Sequence, residues 1–91
     1  MIDVTERARQ ELKRILSQKV DMPQARLRLV ARGQGELGLG IDIEAPGDQV
    51  VEYEGLKVLI VEPGLATELT GVTLDVDDTS ERAELVISEK P

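Results

Sequence analysis

Cysteine and histidine are both absent from the 91 residues, and phenylalanine and tryptophan are absent with them. Without thiolate or imidazole the chain offers no soft or borderline metal donor. This excludes disulfides, zinc ribbons, thiolate catalysis and any iron–sulfur cluster held by its own Cys or His. Nucleophilic catalysis is equally unsupported, because Ser17, Ser80 and Ser88 have no histidine to take a proton, and no side chain here ordinarily titrates near neutrality. An enzyme is therefore not expected. Tyr53 is the only aromatic residue, so there is no row of rings for bases to stack on, and 18 acids against 11 bases give a net charge of −7 that repels phosphate. Nucleic acid is not an expected partner. No apolar run approaches the roughly 18 residues of a membrane span, and Met1–Arg7 lacks the order of a secretory signal. A cytoplasmic protein with no membrane contact is the expectation.

What is present is aliphatic. Residues 1–91 suit one domain with a core of Leu, Ile, Val and Ala. From Thr5, the spacing of Ala8, Leu12, Ile15 and Leu16 predicts a helix of about 13 residues capped by Thr5, with Arg7 and Glu11 spaced as an ion pair. Beyond Pro23 the period changes from 3.6 to 2. Leu27, Leu29 and Ala31 alternate with arginines, and Leu39, Ile41, Ile43 and Ala45 alternate with Gly40, Asp42 and Glu44 up to a turn at Ala45–Asp48. Val50–Tyr53 predicts another strand. The unbroken run Leu56–Val61 predicts a central one, Pro63–Thr70 a short helix stopped by Gly71, and Val72–Val76 and Leu85–Ile87 the last two strands. The fold class is α+β and β-rich: a mostly antiparallel curved sheet or small sandwich with an N-terminal helix and a short second helix. No strand alternates with a long helix, as parallel crossovers ordinarily do.

Two constellations invite a functional reading. Gly33-Gln34-Gly35-Glu36-Leu37-Gly38 matches G-x-G-x-x-G, but the following residues read as strand, so the helix that would cradle a pyrophosphate is missing. The glycines are then expected to supply positive φ or close backbone approach in a loop. Asp75, Asp77 and Asp78, with Asp42 and Glu62 elsewhere, offer oxygen donors for a hard cation, yet lack the glycine and closing glutamate of a calcium loop. A solvated edge is the expected reading.

Leu27-Arg28-Leu29, Gly35-Glu36-Leu37-Gly38, Val58-Leu59-Ile60-Val61, Leu69-Thr70-Gly71-Val72-Thr73-Leu74-Asp75-Val76 and Leu85-Val86-Ile87-Ser88, in that order, resemble the HesB/IscA-like family of A-type iron–sulfur carriers. The opening Ile2–Ala8 resembles the family's strand-like entry into a helix. The resemblance implies a compact β-rich domain, dimers or higher oligomers, and a role in receiving and passing on iron or clusters. It also implies three cysteine ligands. One lies in a Gly-Cys-x-Gly loop, where this chain has Glu36 between Gly35 and Gly38. The other two form a Cys-x-Cys pair in a C-terminal tail that Pro91 does not reach. Carboxylate is a hard ligand and no substitute for thiolate, so Glu36 is at most a weak candidate for bare iron, and no resident cofactor is expected. The expectation is a cysteine-free relative acting as a non-catalytic accessory or binding protein, a homodimer with protein partners in iron–sulfur assembly. A second reading is a binding module with no iron–sulfur role that contacts its ligand through Arg32, Gly35, Glu36 and Gly38.

Overall fold

The computed structural model describes residues 2–19, 23–33, 36–77 and 84–89. Nine elements follow in order: β1 (Asp3–Val4), α1 (Glu6–Lys19), β2 (Ala25–Arg32), β3 (Glu36–Ile43), β4 (Gln49–Tyr53), β5 (Leu56–Val61), α2 (Pro63–Glu68), β6 (Val72–Asp77) and β7 (Glu84–Glu89). The strands form two sheets, one in the order β3-β2-β5-β4 and one in the order β1-β6-β7. This is a small sandwich with α1 packed on it.

The aliphatic face of α1 decides the packing. Ala8 and Leu12 are fully buried and Leu16 nearly so, and they join Leu27, Leu29, Leu59 and Val61 of one sheet and Val72 and Leu74 of the other in a single core. Thr5 caps the helix through its hydroxyl, which accepts the Ala8 amide at 3.2 Å. On the opposite face Glu11 pairs with Arg14, one turn further along. β5 lies between β2 and β4, and Val58–Val61 are all fully buried, as a strand covered on both faces requires.

Among the described residues three of the five strand pairings are antiparallel; β2–β5 and β1–β6 are parallel. The β2–β5 pair needs no helical crossover, because β3 and β4 carry the chain from β2 to β5, while β1 and β6 are joined through α1, the whole of the other sheet and α2. The β4–β5 connection is a two-residue turn in which Glu54 (φ 52°) and Gly55 (φ 79°) both adopt left-handed backbone, the type I′ arrangement that matches strand twist. β3 begins earlier than its alternation suggested. The glycines around it do not supply the expected positive φ: among the described glycines that conformation belongs to Gly47, Gly55 and Gly71, with Gly71 ending the α2 region, while Gly33 and Gly40 are without it, Gly33 facing open space and Gly40 the Val30 side chain at 4.0 Å.

Candidate functional site

The β2–β3 hairpin carries the residues that the family resemblance singles out. Its ladder runs without a shift from Ala25↔Ile43 to Arg32↔Glu36. Arg32 and Glu36 are therefore the two strand ends, directly opposed, and not positions within an exposed loop. The reason is period 2: Leu37 and Leu39 turn toward the core, which draws Glu36–Gly38 into the strand. Gly38 stands opposite Val30. Gly35 lies outside the described residues.

Gly38 also belongs to a groove between β3 and β7, about 350 Å³ in volume and lined by Leu29, Leu37, Leu39, Leu74, Leu85, Val86 and Ile87. The hairpin and the last strand thus meet around one opening, and its wall is aliphatic. Such a wall accepts apolar groups; it coordinates nothing. Among the described residues no three or more acidic side chains converge as a metal site. A sulfide-bridged iron cluster needs thiolate donors, and the lining of this groove does not fit one.

The acidic cluster is divided. Asp75 Oδ1 accepts the Thr5 hydroxyl at 2.8 Å and the Val76 amide at 2.8 Å. These bonds, the hydroxyl first, hold its carboxyl below the ordinary value. It is thereby a structural anchor for α1. Asp77 closes β6 opposite Glu84, and Asp78 lies outside the described residues. Asp42 is on the other sheet, bonded by Arg28 Nε at 2.8 Å, and Glu62 precedes α2 on the surface.

Sequence reading missed two polar constellations. Arg28 reaches from β2 to donate Nη2 and Nη1 to Asp48 at 2.8 and 3.3 Å, and Nη2 also reaches the Ile43 carbonyl at 3.3 Å. Asp48, with its side chain only 2% exposed, accepts the Ala45 amide at 2.8 Å as well. The bonds from Arg28 hold the Asp48 carboxyl below its ordinary value, and Asp48 in turn raises the guanidinium. The available signal was Asp48 within a Pro-Gly turn, but it does not reveal which strand arginine answers it. The second constellation joins β1 to β4. The Gln49 side chain bonds both backbone groups of Ile2, at 3.0 and 2.9 Å, and Arg9 bridges the Val4 and Glu52 carbonyls at 3.3 and 2.9 Å. One side of the sandwich is thus laced shut by polar side chains. The other, between β3 and β7, is open and apolar.

No family model matches the chain. Its sequence is 42% identical over 80 residues to the Cereibacter sphaeroides "uncharacterized protein in nifU 5′ region", covering 82% of this chain and 74% of that one. Its fold is similar to Escherichia coli SufA, involved in biosynthesis of iron–sulfur clusters (TM-score 0.62, 18% identity, 97% of this chain and 79% of that). It is also similar to IscA with a [2Fe-2S] cluster (TM-score 0.63, 19% identity, 98% and 85%) and to an Aquifex aeolicus protein (0.61, 22%, 98% and 91%). The fold is thus shared with SufA and IscA. The chain contains no cysteine and belongs to one family with the nifU 5′-region protein.

Proposed function

We propose that this protein is a non-catalytic accessory of iron–sulfur assembly that presents the carrier's scaffold and partner surface without taking a cluster. The observation that carries the reading is the hairpin itself. At the position of the family's first thiolate stands Glu36, opposed by Arg32, beside a groove walled by leucines. The gene neighbourhood named for the Cereibacter sphaeroides relative supports a partner among the products of nifU-linked genes. No helix among the described residues is long and apolar enough to cross a membrane. In this reading the protein works in the cytoplasm, as a homodimer, and without a cofactor of its own. Mixing the purified chain with the purified nifU-encoded protein of the same organism, followed by calorimetry, tests it. Saturable binding in the absence of iron and sulfide is expected; no heat at concentrations up to about 100 μM removes the reading.

The groove favours one second reading, a binding module for a small aliphatic ligand with no iron–sulfur role. Displacement of an apolar fluorescent probe by such ligands, blocked by Leu85→Lys, is its signature. Absence of probe binding ends it.

A further inference from the structure

Among the described residues, the two edge strands on the open side of the sandwich, β3 and β7, differ in what protects them. Natural sheets blunt such edges with proline, lysine, bulges or short strands. β3 has none of these devices: eight residues with no Pro or Lys, in unbroken register with β2. Its inner row runs out from under α1, so Leu37 and Leu39 are half-buried while Ile41 and Ile43 are 55% and 54% exposed. Ile15 of α1 continues this strip above Leu39 and Ile41. β7 is shorter, with six residues, and has a glutamate at each end.

We propose that β3 is a self-pairing edge: two copies join antiparallel about a two-fold axis through Ile41, forming one continuous eight-stranded sheet. This rests on the dimeric reading above and adds to it the surface and the register. The occupant is a second copy because the strand is complementary to itself in this alignment. Ile41 meets Ile41 of the copy and Ile43 meets Leu39, so both exposed isoleucines are covered on the same face. Asp42 meets Gly40, Glu44 meets Gly38, and Glu36 falls beyond the ladder, level with Pro46. No acid therefore opposes an acid. Asp42 and Glu44 are already paired, with Arg28 at 2.8 Å and Lys57 at 2.9 Å, which limits repulsion between two acidic chains. In this alignment Leu39–Ile43 of the two copies pair directly, about 17 Å of strand. Ile15 of α1, beside Leu39 and Ile41, extends the apolar contact beyond the ladder. The contact is isologous and closes on itself.

The lack of native cysteine makes the test clean. Sedimentation of the wild-type chain should give twice the 10.0 kDa chain mass. Ile41→Cys should then form an intermolecular disulfide under mild oxidation, since directly opposed residues lie within the ~7 Å that a bridge spans. Ile43→Cys should not, because its counterpart is four strand residues away, about 14 Å. Ile41→Lys should yield a monomer with an unchanged circular dichroism spectrum. A wild-type monomer would overturn both the dimeric reading and this one. A wild-type dimer that cross-links through Val86→Cys or Ile43→Cys instead, or that gives no Ile41→Cys bridge, leaves the dimer standing and overturns β3 as its seam.

Discussion

The hydroxyl of Thr5 donates to Asp75 Oδ1 at 2.8 Å across 70 residues of chain, and the same hydroxyl accepts the Ala8 amide at 3.2 Å. One side chain therefore caps the first helix and ties it to β6. Thr5→Ala removes both bonds, and the cap alone is worth about 1 kcal/mol. Urea unfolding should show a loss of about 1 to 2 kcal/mol at unchanged slope. Thr5→Ser should retain most of the stability.

Arg28 is the outer-face counterpart. Arg28→Ala leaves the Asp48 carboxylate, 2% exposed, without its cation. The expected cost is about 2 to 4 kcal/mol, below that of a deeply buried pair because Arg28 itself keeps 16% exposure. Arg28→Lys should fall in between, since an ammonium cannot grip Asp48 and Asp42 with a planar fork. Equal stability of all three proteins would remove Arg28 as the clasp of the Ala45–Asp48 turn.

The acid limb of stability follows from the same two carboxylates. Asp48 is depressed chiefly by its bonds from Arg28, and Asp75 chiefly by the Thr5 hydroxyl, both below the ordinary value of 3.8. Each binds protons more weakly folded than unfolded. Their contribution is therefore complete above 3.8 and is lost as pH falls through the lower folded values. Urea midpoints should be flat from about pH 7 to 5 and decline below about 4, and the decline should be shallower in Asp48→Asn/Asp75→Asn.

The β4–β5 turn holds an improvable position. Glu54 sits at φ 52°, a conformation that Asn tolerates better than Glu. Glu54→Asn gives up the exposed pair with Lys13 at 3.0 Å, worth only about 0.2 to 0.5 kcal/mol. A net gain of about 0.5 kcal/mol in thermal or urea unfolding is expected.

Much of this fold was legible because its pattern is local. The α1 face, the buried run of β5, the α2 segment before Gly71 and the alternation of β6 all follow from period and punctuation. What escaped was non-local. Asp3-Val4 was legible as a strand only through the family resemblance, because two residues carry no periodicity; β1 exists through pairing with Thr73–Leu74. Parallel β2–β5 pairing and the Arg28–Asp48 clasp likewise join segments whose adjacency only the folded chain creates. The candidate site divided in the same way. Glu36 as the counterpart of a thiolate came only from the family resemblance, while its opposition to Arg32 and the leucine-walled groove beside the hairpin required the register.

The central claim concerns donor chemistry, and anaerobic incubation of the purified 91-residue chain with ferrous iron and sulfide tests it most directly. After desalting, a colourless protein with no visible absorption band and no acid-labile sulfide is predicted. A brown protein that retains iron and sulfide in stoichiometric amounts would contradict the account.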